Sequence, residues 1–153
     1  TTIGADCPFF IYDTPMLATG IGNIFTPMPL DLSSMTIAIV KPRVSVSTKE
    51  AYSGVKPMIP ATDLRSTLLD PVECWKGNLK NDFEESIFPL HPEIDGVKQT
   101  LYDMGAVYAA MSGSGAAVFG LFSADSDILA DRINSTFPEC DTFVAPLTLQ
   151  REK

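Results

Sequence analysis

Residues 106–122 read AVYAAMSGSGAAVFGLF, two apolar runs joined by a turn of small residues from Ser112 to Gly115. Gly113 and Gly115 permit the positive φ angles that a tight connection between strands requires. The segment therefore predicts a hairpin of two buried strands. Such a hairpin restricts the fold strongly, because its apolar faces must be covered by other parts of the chain.

The rest of the chain supplies that cover. MTIAIVKP (35–42) is a β-branched run closed by Pro42, as expected of a buried strand. VSTKEAYSGV (46–55) predicts a short helix capped by Ser47 or Thr48, and ATDLRSTLLD (61–70) a second capped by Thr62 or Asp63. NDFEESIF (81–88) predicts a third, with Asp82 and Glu85 at capping-box spacing. Ile94, Val97, Leu101 and Met104 recur at helical spacing in a helix that starts at Pro92 and stops at Gly105. An amphipathic helix (125–137) and a last strand in CDTFVAPLTL (140–149) complete the order. Strand, helices, hairpin, helix, strand predicts an α+β two-layer sandwich of the ferredoxin-like type. Its four-stranded, mainly antiparallel sheet has helices on one face, with extra helices inserted after the first strand. Ahead of it, PMLATGIGNIFTP (15–27) reads as two short strands bent at Gly20 and Gly22.

Composition narrows the partners. The formal net charge of −8 and the absence of a Lys/Arg cluster oppose binding to nucleic acid or to an anionic membrane. Cys7, Cys74 and Cys140 are odd in number and lack CxxC spacing, which suggests neither a disulfide framework nor a metal site and fits a reducing, cytoplasmic setting. No apolar run approaches the roughly 18 residues that a membrane span needs. The chain lacks an initiator Met, as expected of one that begins partway through something larger.

Two motifs admit two readings each. In GADCPFF (4–10), Asp6 is a turn carboxylate or cap, or else a general base that takes a proton from a substrate hydroxyl. Gly113, Ser114 and Gly115 are simply a hairpin turn, or else a place where backbone N–H groups approach a phosphate or another loop. Taken alone, the residues leave both pairs open. His91 between two prolines reads as a loop or helix-start residue, Trp75 as core cover, and Lys41 and Arg43 as solvated charges.

IGADCPFF, KPRVSVSTKEAY, NDFE and GAVYAAMSGSGAAVFGLF occur in an order and at separations that resemble the later part of the GHMP-superfamily kinases. The resemblance is to those acting on a diphosphocytidyl-linked methylerythritol, and it spans nearly the whole chain. It implies phosphorylation of a tertiary 2-hydroxyl by ATP with Mg²⁺, in the non-mevalonate route to isoprenoid precursors. Asp6 falls on the family's catalytic aspartate, the group that accepts or orients the hydroxyl proton. Thr48 and Tyr52 fall on a "T, three residues, aromatic" element whose ring stacks on cytosine. Tyr replaces Phe here, and stacking by the ring face survives that change. Gly113, Ser114 and Gly115 match the third glycine-rich motif, which shapes the substrate side of the cleft.

The family's catalytic lysine and its PxxxGLGGGSS-type phosphate loop occur nowhere in these residues. Phosphoryl transfer depends on positioning and electrostatic stabilisation, so a chain without them is expected to be inactive by itself. Residues 1–29 are then expected to be a remnant of an N-terminal lobe and 30–153 the C-terminal domain. Phe9, Phe10 and Ile11, without packing partners, would favour self-association. The expected partner is a cytidine diphosphate derivative, and the expected location is the bacterial cytoplasm or the plastid stroma. Two alternatives are a GHMP kinase for another alcohol, such as homoserine or mevalonate, which STKEAY and GADCPFF disfavour, and a stand-alone ferredoxin-like regulatory or interaction module.

Overall fold

A computed structural model of the chain describes residues 9–12, 14–56, 63–123 and 125–148. After a short helix, α1 (Phe9–Tyr12), strands β1 (Met16–Thr19) and β2 (Ile24–Pro27) form an antiparallel hairpin that makes a sheet of its own. The turn between them uses Gly20 and Gly22, both at positive φ, as the sequence predicts.

The main sheet is built from β3 (Thr36–Lys41), β4 (Tyr108–Met111), β5 (Val118–Phe122) and β6 (Asp141–Pro146). Its order is β4-β5-β3-β6 and every neighbouring pair is antiparallel, the ferredoxin-like arrangement. Alternation along the strands assigns side chains to two faces. Ala38, Val40, Ala109, Met111, Val118 and Phe122 join the larger core cluster. Helix α5 (Pro92–Asp103) contributes Ile94, Val97 and Leu101 to that cluster, and α6 (Ser126–Thr136) contributes Leu129 and Ile133.

The opposite face is covered as well, by a smaller cluster around Trp75, Tyr108, Ala110 and Leu121, with Leu30, Leu32 and Leu68 packed against it. This cover comes from the stretch just before β3, which supplies Leu30, Leu32 and Met35, and from α3 (Leu64–Leu69) and a 3-10 turn (Val72–Cys74) in the segment between β3 and α5. The same segment holds α2 (Thr48–Ser53) and α4 (Glu84–Ile87), whose Ala51 and Ile87 join the larger cluster instead. Trp75 is thus core cover, and its indole Nε1 donates to the Asp70 carbonyl at 3.1 Å.

Caps form at Ser47, Asp63 and Asp125, each side chain accepting from the first turn of its helix. The capping box expected of Asp82 and Glu85 does not form. Helix α4 starts at Glu84 with no side-chain cap, and Asp82 and Glu85 both turn to Lys80. The preceding turn is closed by Asn81, whose Oδ1 accepts from the Phe83 amide at 3.0 Å. Lys41 and Arg43 are solvated charges facing Asp141 and Glu139.

Tyr108 generates a pH prediction. Its hydroxyl donates to the Leu79 carbonyl at 3.3 Å, and its ring meets Trp75 edge to face. Burial, followed by the charge of Glu84 and by Tyr102, pushes its phenol well above the ordinary tyrosine range. The native protein keeps this proton while the unfolded chain releases it near pH 10. The contribution is therefore complete below about pH 10 and declines as pH rises further. Tyr108→Phe should cost about 1 kcal/mol near neutrality and should flatten the alkaline decline. Urea unfolding midpoints from about pH 8 to about pH 11 check this, and parallel declines in the two proteins would refute it.

Candidate functional site

Asp6 lies outside the described residues. The remaining site residues predicted from the sequence fall on two elements that one turn joins. Thr48 and Tyr52 stand one turn apart on α2 and so share a face of that helix. Tyr52 is 65 % exposed, and its ring sits 4.9 Å from that of Phe83 with the planes at 76°.

Helix α2 is too short to be stable by propensity alone, and it is fastened to the segment that follows Phe83. Ser86 Oγ donates to the Ala51 carbonyl at 3.2 Å. Gly54 is needed for this approach, since a Cβ there would stand 2.5 Å from Ser86 Cβ. His91 Nε2 lies 3.0 Å from Glu50 Oε1, with the imidazole only 17 % exposed. His91 does occupy the start of α5, as the sequence suggests, and it also ties α5 to α2.

Gly113, Ser114 and Gly115 form the β4–β5 connection. The turn is closed by Ser112 N donating to Ala117 O at 2.8 Å and by Gly115 N donating to Ser112 O at 3.0 Å. Gly113 and Gly115 have φ of 55° and 96°, which favours glycine at both. At Gly115 a Cβ would also crowd Met111 Sδ at 2.9 Å, with Val46 Cγ2 at 3.7 Å. Val46 directly precedes the α2 cap, so the loop reaches the root of the helix that carries Tyr52.

Between the two elements lies NDFE, a motif that the sequence reads as a helix start and to which it assigns no part in the site. Asn81 Nδ2 donates to the carbonyls of Met111 at 2.8 Å and Gly113 at 2.7 Å. Glu84 Oε1 accepts from the Met111 amide at 2.8 Å, and Glu84 Oε2 pairs with Lys98 Nζ at 2.6 Å. Glu84 is 7 % exposed, a buried carboxylate made tolerable by these partners. Asn81, Phe83 and Glu84 were missed as site residues. The one available signal was a polar pair three positions apart around an aromatic residue, a pattern that solvent-facing helices share.

The surface offers an exposed ring, a hydroxyl residue one turn away and a loop with small side chains. That set suits a flat base with a polar tail. Two hollows lie elsewhere. One of about 400 Å³ is lined by Glu84, Phe88, Asp95 and Lys98, and one of about 300 Å³ by Leu30, Leu32, Leu68 and Pro71. No group of three or more His, Cys, Asp or Glu that could hold a metal occurs among the described residues.

Comparison with known proteins bears on the family and the fold. A family described as GHMP kinases C terminal matches residues 72–139. The chain is 52% identical over 140 residues to a 4-diphosphocytidyl-2-C-methyl-D-erythritol kinase of Parabacteroides distasonis, covering 92% of this chain and 51% of that protein. It is 40% identical over 146 residues to a protein of the same name from Cytophaga hutchinsonii, covering 95% and 53%. Among solved structures, a 4-(cytidine 5'-diphospho)-2C-methyl-D-erythritol kinase superposes with a TM-score of 0.76 at 26% identity, over 94% of this chain and 53% of that one. A homoserine kinase from Cytophaga hutchinsonii shares the fold, with a TM-score of 0.62 at 20% identity over 83% of this chain and 46% of that one. The chain spans about half the length of the curated relatives it matches.

Asn81 gives the site its direct test. Asn81→Ala removes both donors from Met111 O and Gly113 O and should cost about 1–3 kcal/mol of stability. Urea unfolding measures this, and a loss below about 0.5 kcal/mol, the ordinary range for a surface change, would mean that the loop does not depend on that amide.

Proposed function

We propose that the chain, whose residues 72–139 match the family described as GHMP kinases C terminal, forms the substrate-facing part of a 4-diphosphocytidyl-2-C-methyl-D-erythritol kinase. The whole enzyme would transfer the γ-phosphoryl group of ATP to the tertiary 2-hydroxyl of that substrate, a step toward isoprenoid precursors. The observation that carries this reading is the exposed ring of Tyr52, linked to the glycine loop through one shared turn.

Tyr52 would stack on the cytosine and Thr48 would offer its hydroxyl to the same nucleotide. Stacking suits this surface because every base has an apolar face, while a base edge would need matched polar groups. Gly113, Ser114 and Gly115 would bound the cleft without a side chain to obstruct the polar tail. Asp6 is assigned the general-base role on its motif alone. In the transfer, the substrate oxygen bonds to the γ-phosphorus as its proton passes to the Asp6 carboxylate. The bond from that phosphorus to the β,γ-bridging oxygen breaks and ADP leaves.

ATP and Mg²⁺ do not fit the described residues. The glycine loop opens into strand β5, so it lacks the helix N-terminus on which a phosphate cradle is built. We assign their binding to the part of the relatives' length that this chain does not span. We place the boundary between remnant and domain after residue 29, and the separate β1–β2 sheet supports that division. Ile11, Tyr12, Ile21 and Ile24 are exposed there, which supports self-association through this end as part of the proposal. No helix among the described residues is long and apolar enough to cross a membrane. A cytoplasmic or stromal location belongs to the proposal.

Two variants of the complete enzyme test the assignment. Asp6→Asn should lower kcat by about 10²- to 10⁴-fold with little change in substrate affinity, and near-normal turnover would remove Asp6 from the chemistry. Tyr52→Ala should weaken cytidine diphosphate binding by roughly 1–3 kcal/mol, as read by calorimetric titration. Unchanged affinity would place the base elsewhere.

A further inference from the structure

Phe83 has no recognition role of its own in the reading above, yet it is the ring on which Tyr52 rests against the body of the protein. Its ring packs against the larger core cluster and touches the Tyr52 ring with centroids 4.9 Å apart. The Phe83 amide is held by Asn81 Oδ1, and the same Asn81 side chain holds the Met111 and Gly113 carbonyls. Two residues of one turn therefore address the two halves of the site, Phe83 the stacking ring and Asn81 the glycine loop.

An exposed aromatic side chain on a short helix has several rotamers open to it and loses that freedom when a ligand stacks on it. A neighbouring ring fixed in the core reduces the loss by holding one orientation in advance. In a T-shaped pair the edge of one ring meets the face of the other, so at least one face of Tyr52 stays open to a base. Resting on the proposed function, we infer that Phe83 is a positioning residue for nucleotide recognition. It holds the Tyr52 ring in the plane on which a pyrimidine stacks and, through the turn it shares with Asn81, sets that plane relative to the glycine loop.

The ligand class is a pyrimidine nucleoside diphosphate, and cytidine diphosphate is the probe. Its affinity is measured by calorimetric titration of the complete enzyme carrying these residues, with Phe83→Leu, Phe83→Tyr, Tyr52→Ala and the Phe83→Leu/Tyr52→Ala double variant. Phe83→Leu should weaken binding by roughly three- to tenfold, the size expected of a lost ring pair and a freed side chain. Phe83→Tyr keeps the ring and should restore wild-type affinity. In the Tyr52→Ala background Phe83→Leu should have no further effect, because its client ring is gone.

An equal loss in both backgrounds would show general support of the fold and would overturn the inference. Unchanged affinity in Phe83→Leu, with Tyr52→Ala weakened, would overturn it while leaving the proposed function in place. Unchanged affinity in Tyr52→Ala would overturn the proposed function and the inference together. Should Phe83→Leu not fold, Phe83→Met keeps the volume without the ring and carries the same expectations.

Discussion

The outer edge of β4 is the constraint on which this end of the molecule depends. Among the described residues β4 ends its sheet, and no strand pairs with the outward-facing Ala109 carbonyl or with the Met111 amide and carbonyl. Left bare, such groups invite pairing with another chain, or cost a lost hydrogen bond when covered. Three side chains satisfy them instead: the Tyr102 hydroxyl on Ala109 O, Glu84 on Met111 N, and Asn81 on Met111 O. The edge is closed to strand addition and becomes the anchor for residues 81–84. Glu84 can serve only because Lys98 pairs with it. A buried carboxylate without a partner would cost several kcal/mol.

What is anchored there in turn sets the site. Helix α2 buries Ala51 in the larger core cluster and is further held by Phe83, within the anchored turn, and by Ser86 and His91 downstream of it. The glycine loop is held by Asn81 from the same turn. The two halves of the candidate site thus share one rigid support, while their working surfaces stay open to solvent. Sites whose supporting groups are locked by packing and hydrogen bonds lose less freedom on binding. Here the sheet edge provides that locking, so one set of hydrogen bonds serves both the fold and the site.

The strands, the long helices and their order were legible because each carries a local signal. Ala38 and Val40 alternate with Ile37 and Ile39, Ile94, Val97 and Leu101 recur at helical spacing, and Gly105 marks the end of α5. The β1–β2 hairpin was legible through Gly20 and Gly22. The second sheet face was less so, because Leu30, Leu32 and Leu68 come from stretches with no common period, and Trp75 shows its place only once they assemble. The role of NDFE was not legible. Its hydrogen bonds reach across some thirty residues to Met111 and Gly113, and no local rule announces them. The capping box expected at Asp82 and Glu85 failed for a related reason. Lys80 draws both carboxylates, and Asn81 already closes the turn.

The charges of this turn bear on how such a domain would hold an anionic nucleotide. The chain carries a net charge of −8, and its long-range field repels a diphosphate. Lys80 is engaged by Asp82 and Glu85, and Lys98 by Glu84, so the cations flanking the anchored turn are already paired. Lys49, exposed on α2 itself, is one cation left near the proposed site; beyond it, attraction would come from terms that do not need net positive charge, namely the face of an aromatic ring and the dipoles of a backbone loop free of side chains. Both depend on orientation far more than a salt bridge does. A ring a few tens of degrees out of plane loses its stacking area, whereas an ammonium group can swing and still attract. A domain that recognised its ligand mainly by stacking would have the stronger reason to brace its ring, and the Phe83 contact and the Asn81 clamp would answer that need.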